Sequence, residues 1–89
     1  MTWTDKLAAT RAGLRNLHGA IPDTARSFGT LSKAVKSGGT LEYKTKEFVA
    51  LGISVADRCE PCISLHIEAL VKCGATREEV ADVLAAFVG

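Results

Sequence analysis

Two of the three cysteines and one of the two histidines fall within Cys59-Glu60-Pro61-Cys62-Ile63-Ser64-Leu65-His66. Cysteines separated by two residues are spaced to close a disulfide with each other or to share a metal ion. If the segment from Cys62 onward is helical, Cys62 and His66 lie one turn apart on one face. An imidazole there can take a proton from a thiol, directly or through water. A thiolate is favoured at a helix N-terminus by the free N–H groups and the positive end of the dipole. Cys62, in the first turn, is better placed for this than Cys59, just outside it. The spacing therefore suggests Cys62 as attacking thiol, Cys59 as resolving thiol and His66 as proton acceptor. Glu47 belongs with them, because a carboxylate on a largely apolar helix just upstream needs a reason.

Blander readings stand beside these. A zinc site could use Cys59, Cys62 and His66, with His18 or Cys73 as fourth ligand, although neither falls at a familiar finger spacing. The cysteines could simply pack as small, partly buried side chains. For Glu47 the competitor is a surface carboxylate in a first helical turn, favoured by the dipole. Cys73, at a helix end, reads as a packing residue. His18 reads as a loop residue without a signal.

The elements that must hold this stretch are helical. Trp3, Leu7, Ala8, Leu14 and Leu17 give a first helix over residues 3–17, with a connection from Asn16 to Ile21. Pro22 suits a first helical turn. Ile21, Ala25, Phe28, Leu31 and Val35 then mark a second helix over about 22–37, stopped by Ser37-Gly38-Gly39-Thr40. A third runs from about Tyr43 to Asp57 and is apolar almost all round, so it is buried on most sides. Arg58 to Pro61 is a turn. The fourth helix runs to about Lys72, with Gly74 as its C′ residue. Thr76 and Glu79 form a capping box for a fifth, which carries Val80, Val83, Leu84, Phe87 and Val88 to the end of the chain. No segment alternates with period two between hairpin turns. The expected class is all-α, one domain over residues 1–89 built as a bundle of five helices.

A domain of 89 residues has a marginal core of its own. With 47% apolar residues, some of its apolar surface is expected to be covered by another subunit. The net charge of +1 comes from basic and acidic residues mixed along the chain, so nothing points to nucleic acid. Residues 1–6 lack the pattern of a signal peptide, and the longest apolar-leaning stretch, Phe48 to Ala56, is too short to span a bilayer. A cytoplasmic, soluble protein is expected. In that reducing compartment a close cysteine pair is more readily redox-active or metal-binding than a permanent staple.

Three segments in order carry a resemblance. They are Lys44-Thr45-Lys46-Glu47-Phe48-Val49-Ala50-Leu51, then Cys59-x-x-Cys62-x-x-x-His66, then Cys73-Gly74-Ala75-Thr76-x-Glu78-Glu79-Val80. Together they resemble the carboxymuconolactone decarboxylase superfamily, and within it the alkylhydroperoxidase D-like branch, over roughly Gly39 to Phe87. The resemblance implies an all-helical fold that assembles as trimers, hexamers or related rings. It implies a thiol-dependent antioxidant enzyme that reduces peroxide, or a disulfide, at the expense of an external dithiol, with no cofactor and no metal. It places Cys62 as the thiol that attacks peroxide, Cys59 as its disulfide partner, His66 as relay histidine and Glu47 as relay glutamate. The decarboxylase branch generally lacks the cysteine pair, which argues against lactone decarboxylation. One position departs from the pattern: Pro61 stands where peroxidase members carry a second histidine. That departure keeps thiol–disulfide exchange or redox sensing as the alternative, with a structural metal-binding oligomer behind it.

Overall fold

The computed structural model describes residues 1–86. Among them all regular structure is helical: α1 (Trp3–Ala20), α2 (Pro22–Ser37), α3 (Tyr43–Ala56), α4 (Glu60–Lys72) and α5 (Arg77–Ala86). The expected ends of α2, α3 and α4 agree to within a residue or two. The apolar stripe of α5 is described through Leu84; Phe87 and Val88 lie outside the described residues.

The end of α1 differs from expectation. The helix runs through the predicted connection to Ala20, and only Ile21 separates it from α2. Gly13 and Gly19 weaken a helix but do not end it, whereas a residue before proline is driven out of the α region. Ile21, at φ −132° and ψ 61°, obeys that restriction. Its N–H still closes on the Leu17 carbonyl, and its carbonyl accepts from Ala25. His18 is consequently a helical residue near the end of α1, not a loop residue.

The chain divides into two compact units, Met1–Thr40 and the part from Leu41 on. In the first, α1 packs on α2. A capping box starts α1: Thr2 Oγ1 accepts from the Asp5 N–H at 3.1 Å, and Asp5 accepts from the Thr2 N–H at 3.2 Å. Neither helix contains a buried residue. Phe28, Leu31 and Val35, at helical spacing along α2, are each at least 60% exposed.

In the second unit α3 packs against both α4 and α5. Its apolar core is Leu51 on α3 and Leu70 on α4, each contributing about 1.5–3 kcal/mol through burial. Three polar residues share this small core: Glu47, Ser54 and Ser64. The serines are satisfied within their own helices, Ser54 Oγ donating to the Ala50 carbonyl at 2.7 Å and Ser64 Oγ to the Pro61 carbonyl at 3.0 Å. Lys44 near the start of α3 reaches Glu79 near the start of α5 at 3.0 Å, which ties these two ends together.

Candidate active site

The cysteine pair sits at the joint between α3 and α4, and each cysteine has a defined place in that joint. α3 ends in a Schellman motif. The Arg58 N–H returns to the Val55 carbonyl at 3.1 Å and the Cys59 N–H to the Ser54 carbonyl at 3.0 Å. The residue at C′ must take a left-handed conformation, and Arg58 does so at φ 56°. Cys59 is therefore the second residue beyond the Asp57 C-cap of α3, and it is also the N-cap of α4. Its carbonyl accepts from Ile63 at 2.9 Å, and its sulfur lies 3.3 Å from the Cys62 N–H. Pro61 occupies the first turn of α4, where its missing N–H is not needed. Cys62 follows it in that turn.

The two cysteines are joined as a disulfide, with Cα atoms 5.2 Å apart. Both are half-buried. His66 lies one turn beyond Cys62 on the same face of α4. Its Nδ1 is 2.9 Å from Oε2 of Glu47 on α3. Glu47 is only 2% exposed, and it lies in the second turn of its helix. The surface reading of this carboxylate is thereby corrected: it faces the α3–α4 packing and meets the histidine of the cysteine helix. A carboxylate is costly to bury unless charge-assisted or hydrogen-bonded partners meet it, and His66 supplies one. Donation from Nδ1 leaves Nε2 of the neutral imidazole as the acceptor nitrogen.

The structure thus forms two couples, Cys59 with Cys62 and Glu47 with His66, and helical spacing places Cys62 and His66 on one face. Among the described residues, no three His, Cys, Asp or Glu side chains converge as metal ligands. Cys73 is the C-cap of α4, half-buried with a free thiol.

In the sequence reading Tyr43 marks only the start of α3. It stands one turn before Glu47 on the same helix. Partial burial first, and then the charges of Glu47 and Cys73 and the bond to Glu47, push the phenol above its ordinary range. It therefore stays protonated, and a donor, at neutral pH. The signal was available in the four-residue spacing between Tyr43 and Glu47.

Comparison with known proteins agrees with the all-helical fold that carries this site. Residues 22–87 match the Carboxymuconolactone decarboxylase family. An uncharacterized protein of Haemophilus influenzae is 35% identical over 66 residues, covering 74% of this chain and 58% of its own length. One from Methanocaldococcus jannaschii is 39% identical over 74 residues, covering 81% of this chain and 70% of that protein. The chain thus spans about three fifths of the first relative's length. Among solved structures, the crystal structure of an apo carboxymuconolactone decarboxylase family protein from Legionella pneumophila superposes with a TM-score of 0.89 at 32% identity. That match covers 97% of this chain and 77% of the other. With the matched segment spanning α2 through α5, the chain belongs to the carboxymuconolactone decarboxylase family.

Proposed function

We propose that the protein is a thiol-dependent peroxide reductase of the alkylhydroperoxidase D-like type. The observation that carries this reading is the cysteine pair at the start of α4 with a buried carboxylate engaging the histidine one turn further on. In the reduced protein, His66 accepts the Cys62 proton and Glu47 holds the imidazole in the tautomer that can do so. The Cys62 thiolate attacks the distal oxygen of a hydroperoxide, the O–O bond breaks, and the alcohol leaves with a proton. Cys62 is then a sulfenic acid. The Cys59 thiol attacks its sulfur, forming the disulfide and releasing water. An external dithiol reduces the disulfide by two exchange steps and is itself oxidised.

The alternative is thiol–disulfide exchange or redox sensing with slow peroxide turnover, and Pro61 favours it. Proline offers no proton-transfer group beside Cys62. Assembly with further copies in the cytoplasm belongs to the same proposal, and the exposed apolar spacing of Phe28, Leu31 and Val35 supports it. Among the described residues, no helix is long and apolar enough to cross a membrane.

The test is peroxide consumption with a dithiol donor, run beside thiol-trapping mass spectrometry. Wild type should turn over and cycle its Cys59–Cys62 disulfide, while Cys62→Ser should do neither. Equal peroxide rates in the two proteins would refute the peroxidase reading. A cycling disulfide without peroxide turnover would select the exchange reading.

A further inference from the structure

We propose that Tyr43 is a positioning residue of the thiol site, its phenol holding the Glu47 carboxylate in the orientation that engages Nδ1 of His66. This inference rests on the reading of His66 as the proton acceptor for Cys62. Three observations carry it. Glu47 and Tyr43 are one turn apart on α3, so the phenol reaches the carboxylate from its own helix. The carboxylate also acts on the phenol, its charge and a hydrogen bond to it helping to push the phenol above its ordinary range. Glu47 is nearly fully buried, so its bonds to Tyr43 and His66 replace the water it would otherwise keep.

The geometry gives this bond a purpose. A glutamate side chain has three rotatable bonds, and one bond to His66 leaves the carboxylate free to swing about it. A second bond, from the same helix, fixes the carboxylate plane. The neutral imidazole then carries its proton on Nδ1, and Nε2 remains the acceptor for the Cys62 proton. Tyr43 itself is 37% exposed, so its ring contributes little to the core. Removing only its oxygen therefore separates the bond from the packing.

The experiment compares reduced wild type, Tyr43→Phe and Glu47→Gln, each confirmed folded by circular dichroism. The ring-nitrogen chemical shifts of His66 report which nitrogen is protonated, a readout that loss of packing alone does not move. Wild type should show His66 mainly as the Nδ1–H form, Tyr43→Phe a mixture with at least twice the Nε2–H fraction, and Glu47→Gln a larger shift still. Alkylation of Cys62, resolved from Cys73 by peptide mass spectrometry, should slow several-fold in Tyr43→Phe and by about tenfold or more in Glu47→Gln. Unchanged His66 shifts and unchanged Cys62 reactivity in Tyr43→Phe, with Glu47→Gln altered, would overturn the role of Tyr43 and leave the relay standing. A Glu47→Gln protein indistinguishable from wild type would overturn both.

Discussion

The second unit turns its chain twice with the same device. At the α3–α4 joint, Arg58 and Cys59 return their N–H groups to Val55 and Ser54; at the α4–α5 joint, Gly74 and Ala75 return theirs to Val71 and Leu70, at matching distances of 3.1 and 3.0 Å. Both turns need a left-handed residue at C′, with φ 56° at Arg58 and 78° at Gly74. The second joint uses the residue with no steric penalty there, and the first does not. Each joint also holds a cysteine, but in different registers. Cys59 lies beyond the turn and caps the next helix, facing Cys62. Cys73 lies before the turn and caps the helix that is ending. The same pair of returning hydrogen bonds therefore goes with a disulfide-bonded pair at one joint and a single free thiol at the other. What separates them is the register of the cysteine, with a second cysteine three residues on and Glu47 and His66 close by.

The largest expected difference between the joints is in activity. Cys62→Ser should abolish peroxide turnover, since the thiolate assigned to the attack is gone, whereas Cys73→Ser should leave the rate within about a factor of two, well inside a kcal/mol of barrier. A Cys73→Ser protein as inactive as Cys62→Ser would mean that the second joint belongs to the site.

The next difference is in backbone cost. No heavy atom lies within 4 Å of a Cβ added at Gly74, so Gly74→Ala isolates the left-handed penalty. It should destabilise the protein by about 1–2 kcal/mol in denaturant melts, with the slope unchanged. A neutral Gly74→Ala would show that the turn relaxes without cost.

Beyond the second joint, α5 is started by a capping box in which Thr76 Oγ1 accepts from the Glu79 N–H at 3.0 Å and Glu79 Oε1 accepts from the Thr76 N–H at 2.9 Å. Thr76→Ala should cost about 1 kcal/mol at neutral pH. The bond from the Thr76 N–H, followed by the contact with Lys44, holds the Glu79 carboxyl below its ordinary value. A group with a lowered folded value stabilises above its unfolded value and loses that contribution as pH falls through the folded one. The advantage of wild type over Glu79→Gln should therefore be present at neutral pH and shrink below the ordinary carboxylate range. Solvent exposure keeps the effect small. A pH-independent difference would assign it to packing.

These joints also show what was legible in the sequence. Gly74 and the Thr76–Glu79 box were readable because glycine and capping residues are chosen for backbone reasons, so the residue type announces the geometry. The cysteine spacing gave the pair for a similar reason. Arg58 was invisible as a left-handed residue because arginine is no marker of that conformation; only the turn between two strong helices implied it. The extension of α1 to Ala20 was missed because the apolar spacing was followed only to Leu17, whereas the stop that ends the helix is the one imposed by Pro22. Glu47 was picked out as a carboxylate on an apolar helix, but its contact with His66 lies between residues nineteen apart, and no local pattern reports which way a side chain faces across two helices. The bond from Tyr43 was local and readable by spacing, yet a tyrosine at a helix start is ordinarily a surface residue.

The finest test makes the two joints alike. Arg58→Gly removes a left-handed penalty of about 1 kcal/mol or more, while the added freedom of glycine in the unfolded chain costs about 0.4–1 kcal/mol. The net should be a gain of a few tenths of a kcal/mol, detectable as a small rise in melting temperature. If the turn is fixed by its two returning hydrogen bonds, both backbone groups of the joint keep their partners and Cys59 keeps its place. The reduced Arg58→Gly protein should then re-form the Cys59–Cys62 disulfide at the wild-type rate under a defined oxidant. A slowed rate, despite the gain in stability, would show that the stiff left-handed arginine presents Cys59 to Cys62. The strain at the first joint would then serve its chemistry, and the unstrained glycine would be confined to the joint that has none.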